Sequence, residues 1–193
     1  MKKFRKNFFK EAKLHKCCGD NDLRPALNYI HFKNGYAYST DGYIAVKYNV
    51  LQISENFTEE EVKNLDGKRI HKKAYELLLK FDTVSIIETG FLCSNFNQPF
   101  LSTTISFDIV DYKFPDVDII LEQKLKDLKP LARIGISSSL LIKLSNSLPY
   151  RNGFIFFFSN ESDAIICKSD MYEELNDCIA ILMPFSIPDE IKL

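Results

Sequence analysis

The sequence lacks most of the features that mark enzymes and membrane proteins. Its 193 residues include no tryptophan, three histidines and seven glycines, and they form neither a phosphate-binding P-loop nor a dinucleotide fingerprint. No apolar run approaches the length that spans a membrane, and no apolar region follows the lysine-rich amino terminus as it would in a secretory signal. The formal net charge of −1 argues against a global basic field. We therefore expect a cytoplasmic protein of one large or two small domains.

The five cysteines show neither a Cys-x-x-Cys pair nor the Cys/His spacing of a zinc site. Reduced structural thiols are expected, with no metal and no cofactor. The enzymatic alternative is a two-metal nuclease, because carboxylates can hold paired metal ions. Its candidate ligands are Asp108, Asp111, Asp116 and Asp118. Two of these flank Phe114-Pro115 in an expected turn, where aspartate is common anyway, and no nucleophile motif lies near a histidine. The sequence therefore favours a protein without catalytic residues.

Residues 24–50 predict three short strands joined by two tight turns. Asn34-Gly35 and Asp41-Gly42 are dipeptides that tolerate a positive φ at both centres of a hairpin turn. The flanking runs are rich in Tyr, Ile, Phe and Val, which suit a pleated surface. This segment predicts a three-stranded meander.

A helix followed by three strands is predicted three times along the chain. The first helix is a basic amphipathic segment within residues 1–23, with Phe4, Phe8, Ala12 and His15 on one face. The second covers residues 71–81, and the third covers residues 140–148, after the N-cap candidates Ser137, Ser138 and Ser139. Besides the meander, strands are predicted at residues 83–88, 91–94, 103–112, 154–159, 164–168 and 178–185.

Three connecting or apolar segments complete these predictions. Residues 95–101, which include Pro99, predict an irregular loop, and the charged residues 122–133, which include Pro130, predict a linker. Residues 154–158 are continuously apolar, which is typical of a strand covered on both faces rather than of an exposed edge. The fold class is α+β, with three helix-plus-three-strand units packed so that the sheets lie outside and the helices lie on one face.

Several segments resemble bacterial DNA sliding clamps, the beta subunit of DNA polymerase III, and they occur in that family's order. They are RPALNYIHF at 24–32, YSTDGYIAV at 38–46, KRIHKKAYEL at 68–77, DYKFPD at 111–116, residues 134–141, and IAILMPF at 179–185. The resemblance implies a complete clamp-like domain at 1–121, built from half-units at about 1–53 and 54–121. A linker at 122–133 and a clamp-like half-domain at 134–193 follow. The clamp's first domain and the first half of its third domain have no counterpart.

The resemblance implies a processivity-factor-like role in DNA replication. Partners would be replication proteins that carry a short clamp-binding motif, held in a groove between the complete domain and the half-domain. The implied groove residues are Leu27, Thr40, Gly42, Tyr43, Pro115, Ile120, Ile181, Met183, Pro184 and Phe185. The sequence departs from the clamp pattern where Tyr43-Ile44 replaces His-Arg and Ser186 replaces an arginine. Core packing between two units is the alternative role for these residues.

The resemblance also implies non-specific contact with double-stranded DNA through lysines on helices that face it. The implied DNA-facing residues are Lys6, Lys10, Lys13, Lys16, Lys72, Lys73 and Lys80. A solvated helix face is the alternative interpretation of this lysine stripe. A homo-oligomer is expected, either a closed ring or a two-fold dimer. The alternative function is a clamp-fold adaptor or decoy of a phage or mobile element, which binds replication proteins without touching DNA.

Overall fold

The computed structural model describes residues 5–20, 23–50, 57–126, 134–148, 153–159, 163–169 and 178–185. The strands in these ranges are β1 Arg5–Lys6, β2 Tyr29–Lys33, β3 Tyr36–Thr40, β4 Ile44–Asn49, β5 Arg69–His71, β6 Thr83–Ile87, β7 Gly90–Asn95, β8 Gln98–Ser106, β9 Phe154–Phe157, β10 Ile165–Ser169 and β11 Ile179–Leu182. The α-helices are α1 Glu59–Lys63, α2 Lys72–Leu78, α3 Val117–Lys126 and α4 Ser138–Ser147, and 3₁₀ helices cover Phe8–Glu11, Leu14–Cys17 and Pro25–Asn28. Phe4 and the predicted linker residues 127–133 lie outside the described residues.

The strands form two antiparallel sheets that follow the predicted three-unit repeat. The four-stranded sheet has the order β1-β6-β7-β8, and the seven-stranded sheet has the order β5-β2-β3-β4-β11-β10-β9. The first two units exchange a strand, because β1 pairs with β6 and β5 pairs with β2. The third unit joins the first through β11, in which Ile181 lies opposite Ala45 of β4. The α+β fold class is confirmed.

The meander turns follow from local backbone chemistry. Asn34 and Gly35 have φ values of 51° and 81°, as a primed hairpin turn requires. At the second turn only Gly42 has a positive φ, of 94°. Asp41 instead accepts hydrogen bonds from the backbone N–H groups of Tyr43 and Ile44 at 2.9 and 3.0 Å, an arrangement that aspartate favours in turns.

The main core lies between the two sheets and the helices that cover them. Phe91 of β7 is fully buried, and its ring centroid lies 5.2 Å from that of Phe9, 6.0 Å from Phe32 and 5.1 Å from Phe107. Edge-to-face arrangements of this kind add to the ~1.5–3 kcal/mol gained by burying each ring. The core thus joins the amino-terminal segment to both sheets.

The prediction of one amphipathic helix in the first unit is wrong. Two short 3₁₀ helices replace it, separated at Ala12, which has an extended backbone with φ −120° and ψ 108°. The Ala12 carbonyl accepts a 2.9 Å hydrogen bond from the buried Tyr75 hydroxyl. The extended backbone at Ala12 ends any continuous helix there, and the Tyr75 hydrogen bond holds the carbonyl in this position. Phe9 and Leu14 are buried there, whereas Phe8 is only partly buried.

Three further predictions require correction. Residues 122–126 of the predicted linker belong to α3, and most of the predicted loop at 95–101 belongs to β8, after a bulge at Ser94/Asn95. Pro99 is compatible with β8 because that strand lies at a sheet edge. The apolar strand β9 is also an edge strand, with Ile155 exposed. Its phenylalanines are only partly buried, although Phe156 packs against the main core and Phe157 packs on the opposite side of the sheet.

Candidate functional site

The seven-stranded sheet has a second face, opposite the main core, which we call the outer face. Alternation along the strands places Thr40, Ala45, Ile181 and Ile166 in one row across four neighbouring strands, since each residue lies opposite the next. Thr40, Ile181 and Ile166 are buried and Ala45 is partly buried. Two of the predicted groove residues, Thr40 and Ile181, therefore belong to one cross-strand row.

Helix α3 covers part of the outer face. Val117 and Leu121, one helical turn apart, are buried in a small cluster with Tyr38, Ile166 and Ile181. This apolar pair explains why a charged segment folds as a helix on the sheet. The predicted groove residue Ile120 lies on the same helix with its side chain exposed.

Polar contacts fix the first turn of α3 to the sheet. The Tyr38 hydroxyl donates to Asp118 Oδ2 at 2.8 Å, and Lys47 Nζ lies 2.8 Å from Asp118 Oδ1. Burial acts to raise the pKa of the Asp118 carboxyl, but the hydrogen bonds from Lys47 and Tyr38 outweigh it and lower the pKa below its ordinary value. Asp116 accepts the Ile119 N–H at 3.2 Å and pairs with Lys33 at 3.6 Å. These contacts fix the position of the first turn of α3 on the sheet.

A cleft of about 60 Å³ lies beside this turn, and the predicted groove residue Pro115 lines it. The other lining residues are His31, Lys33, Tyr38, Phe114, Asp116, Val117 and Asp118. The His31 and Phe114 rings lie 5.2 Å apart. Burial, with the charges of Arg69 and Lys33 adding to it, lowers the pKa of His31. The cleft is thus small, with aromatic and charged walls.

The β3–β4 turn is held from several directions. Thr40 Oγ1 accepts the Gly42 N–H at 3.0 Å, and the Leu27 side chain lies beside Gly42. Asp41 pairs with Lys143 of α4, so a helix of the third unit secures a turn of the first. The turn leaves the Tyr43 side chain 69% exposed.

The strand end after β11 lies beside this turn. The Met183 N–H donates to the Tyr43 carbonyl at 2.9 Å, and the Phe185 N–H donates to the Gly135 carbonyl at 3.0 Å. A Cβ on Gly135 would lie only 2.8 Å from both the Phe185 ring and its carbonyl oxygen, so the close approach requires glycine. Met183 is 41% exposed and Phe185 is 52% exposed. Three large apolar side chains are therefore accessible around one turn.

Other predicted groove residues differ in accessibility. Leu27 is buried beneath the turn, in the 3₁₀ helix Pro25–Asn28, and Pro184 is partly buried. Ile44, which replaces a clamp arginine, points into the main core, and Ser186 lies outside the described residues. Sequence reasoning missed Ala45 and Ile166 in the row, as well as Val117 and Leu121 on α3. The sequence did contain signals for them. Ala45 and Ile166 each lie two residues from another apolar residue, Tyr43 and Ala164, as on one face of a strand, and Val117 and Leu121 are one helical turn apart.

The seven predicted DNA-facing lysines have different surroundings. Lys10 Nζ pairs with Asp82 at 3.0 Å. Lys72 Nζ donates to the Gly19 carbonyl at 2.7 Å and pairs with Asp20 at 3.0 Å, so it joins α2 to the first unit. Lys6 lies 5.2 Å from the Phe8 ring centroid. The remaining lysines, Lys13, Lys16, Lys73 and Lys80, have exposed side chains.

The aspartates of the nuclease alternative have structural partners or stand apart. Asp108 accepts the His71 N–H at 2.8 Å, Asp116 and Asp118 hold α3 as described, and Asp111 is exposed. Within the described part of the chain, no three His, Cys, Asp or Glu side chains are grouped so that they could hold a metal ion.

All five cysteines are buried. Among the described residues, no helix is long and apolar enough to cross a membrane.

Solved structures of bacterial sliding clamps share this fold. The clamp of Bartonella birtlesii bound to griselimycin has a TM-score of 0.62 and 14% identity, over 96% of this chain and 66% of that chain. The beta subunit from the DNA polymerase of Streptococcus pyogenes has a TM-score of 0.60 and 11% identity, over 97% of this chain and 66% of that chain. The sliding clamp of Bacillus subtilis has a TM-score of 0.55 and 10% identity, over 94% of this chain and 62% of that chain. The chain therefore spans less than two thirds of the length of these clamps.

The clamp-like fold is thus confirmed by three-dimensional similarity. No protein-family model matches the chain, and no curated protein matches it. The similarity shows that the chain has the fold of sliding clamps.

Proposed function

We propose that this protein is a non-enzymatic, clamp-like replication accessory protein that holds a short linear peptide on its outer face. The observation that carries the proposal is the accessible apolar group of Tyr43, Met183 and Phe185. Tyr43 lies two residues before Ala45 and Met183 two residues after Ile181, so the group lies beside the buried row that contains Thr40 and Ile181. A rigid floor beside exposed apolar side chains suits the anchoring residues of a peptide.

The chemistry of this surface favours an apolar anchor over a charged one. The two clamp arginine positions are Ile44, which is buried in the main core, and Ser186, so neither supplies a positive charge. The nearest described ion pair joins Asp41 to Lys143. Met183 has a flexible thioether side chain, which can adapt to partners of different shape. We expect leucine or phenylalanine side chains of a replication protein to bind here.

The test is fluorescence anisotropy of a labelled clamp-binding peptide titrated with the whole protein. The decisive variant carries Met183→Ala and Phe185→Ala, and its matched control carries Ile109→Ala and Ile142→Ala, two exposed apolar residues elsewhere. We expect saturable binding by the wild type and the control, and at least tenfold weaker binding by the decisive variant. Griselimycin, which is bound in two of the similar clamps, provides a competitor.

Two outcomes would contradict the proposal. One is the absence of detectable wild-type binding at about 100 μM. At that concentration only an interaction with a still higher Kd would go undetected. The other is equal affinity of the decisive variant and the control. Circular dichroism of both variants establishes that each retains the fold.

DNA contact is the expectation that separates this function from the adaptor alternative. Lys13 and Lys16 are exposed around the 3₁₀ helix Leu14–Cys17 and have no acidic partner in the ion pairs of the described residues. Contact with phosphates would weaken steeply as salt increases. Lys13→Glu with Lys16→Glu should abolish such binding if DNA is bound. If the wild type binds no DNA at low salt, the adaptor that binds replication proteins without DNA becomes the better proposal.

A further inference from the structure

Strand β8 is the longest strand in the described part of the chain and lies at the edge of the four-stranded sheet. It covers Gln98–Ser106 and pairs with β7. Its other edge has no partner strand among the described residues. Each of its nine residues except Ile105 is exposed. An edge of this length presents a row of unpaired N–H and C=O groups, which is a template for another strand.

The apolar side chains of this edge lie on both faces of the strand. Ile105 is buried on the core side, so alternation places Leu101 on that side and Phe100 on the other. Phe100 is 98% exposed and Leu101 is 67% exposed. Phe96 is also exposed in the preceding turn. A helix or loop would cover only one of these faces, whereas a neighbouring strand brings side chains against both.

The edge also lacks the charges that keep sheet edges apart. Residues 96–107 contain no Lys, Arg, Asp or Glu. Of the other sheet edges among the described strands, β1 and β5 each contain a lysine or arginine, whereas β9 is uncharged like β8. Edge strands of monomeric proteins are commonly protected by such residues. A charge at or near the two-fold axis of two self-paired strands would face or approach its own copy, so an edge without charges favours self-pairing.

We propose that β8 pairs antiparallel with β8 of a second copy across a two-fold axis. The two four-stranded sheets would then form one continuous sheet of eight strands. Pro99 has no N–H to donate, so the pairing centres away from it, near Thr103. Thr103 then lies opposite its own copy and Ser102 lies opposite Thr104, so that their hydroxyls can hydrogen-bond. A two-fold contact uses the same edge on both copies and therefore closes at a dimer. The proposal does not depend on peptide binding.

Sedimentation of the whole protein between about 1 and 50 μM, across the range of ordinary micromolar affinities, tests the dimer. We expect a concentration-dependent dimer. Thr103→Lys should weaken it at least tenfold, because two lysines would meet near the axis. Thr89→Lys is the matched control, since Thr89 is exposed in the β6–β7 turn of the same sheet. A monomeric wild type at 50 μM, or a folded Thr103→Lys protein that dimerises as well as the control, would overturn the proposal.

Disulfide cross-linking locates the contact without weakening the fold. Single cysteines are placed in turn at positions 100 to 104, and the five native thiols serve as the background because all are buried. Only a residue at the two-fold axis faces its own counterpart, at a Cβ separation of ~4.5–5.5 Å. We expect oxidation to link copies at one position, or at two adjacent ones, and not at positions further along. Equal linking at all five positions, or linking at none, would contradict antiparallel β8 pairing.

Discussion

The two faces of the seven-stranded sheet are covered to very different extents. The inner face contributes to the main core, which includes residues of the 3₁₀ helices, α2 and α4. The outer face has only α3 among the described helices, and its cluster has six buried members. The large cluster ties the three units together, whereas the small cluster ends beside exposed Tyr43, Met183 and Phe185. The difference indicates that the inner face holds the units together, whereas the outer face leaves large apolar side chains accessible.

The sharpest test of this comparison uses two adjacent residues of β10. Ile165 belongs to the inner cluster and Ile166 to the outer cluster, and both are fully buried. Truncation of a buried isoleucine to alanine costs about 2–5 kcal/mol, depending on how well the site collapses. We expect Ile165→Ala to lower the free energy of unfolding by ~4 kcal/mol and Ile166→Ala by ~2 kcal/mol, because α3 can settle onto the smaller side chain.

Urea denaturation of both variants measures these values. The wild-type protein supplies the reference, and equal m-values show that the transition still exposes the same surface. If Ile166→Ala costs as much as Ile165→Ala, the outer cluster is as tightly packed as the main core, and the comparison fails.

A smaller effect is expected from the ion pairs that fasten a helix to each face. Lys143 of α4 pairs with Asp41, whose side chain is only 9% exposed, whereas Lys124 of α3 pairs with Asp163 at the more open end of β10. Exposed pairs are worth ~0–1 kcal/mol. Lys143→Met should therefore cost about 1 kcal/mol and Lys124→Met less than about half of that, because Asp41 loses a cation in a more buried site.

Stability measured at low and high salt separates the electrostatic part of these costs. The difference between each variant and the wild type should narrow at high salt for Lys124→Met and persist for Lys143→Met, since exposed pairs are screened more strongly. A larger loss from Lys124→Met than from Lys143→Met would reverse the comparison.

The smallest expected effect is the pH dependence contributed by one histidine on each side of the sheet. Burial, with the charge of Lys16 adding to it, lowers the pKa of His15, which lies 6.2 Å from the Tyr75 ring. Burial likewise lowers the pKa of His31 beside the cleft. Because the unfolded chain binds protons more readily at these positions, the unfolding free energy should be constant above the ordinary pKa near 6.5 and decline as pH falls below it.

Unfolding midpoints measured between pH 7.5 and pH 5 in His15→Gln and His31→Gln variants test this sign. Each substitution should flatten part of the decline. A wild-type protein that becomes more stable as pH falls through this window would show that the histidines gain protons on folding, contrary to their burial.

Local sequence signals were sufficient for much of the fold. Asn34-Gly35 specified a turn in which both residues have positive φ, and Ser137 precedes α4 as expected. Alternating apolar residues located most strands to within a few residues. These features depend on residues close together in the chain, so one sequence contains the information they require.

The errors occurred where distant contacts decide the structure. Tyr75, distant in sequence, holds the Ala12 carbonyl where the expected first helix is interrupted, and nothing near Ala12 in the sequence indicates this. The charges of residues 122–133 suggested a linker, yet residues 122–126 continue α3, whose first turn is held to the sheet by the Lys47–Asp118 pair. The groove residues came from resemblance. Their cross-strand neighbours Ala45 and Ile166 required the register between β4, β11 and β10.

The pairing of β4 with β11 has a consequence for how the chain folds. Ala45 and Ile181 lie opposite each other although most of the chain separates them, so the entropy of closing a long loop opposes this step. During synthesis, β4 has no partner on that side until residues 179–182 have left the ribosome. The nascent protein therefore carries a second bare strand edge, which is prone to association with other chains. Completion of the last strand removes that hazard.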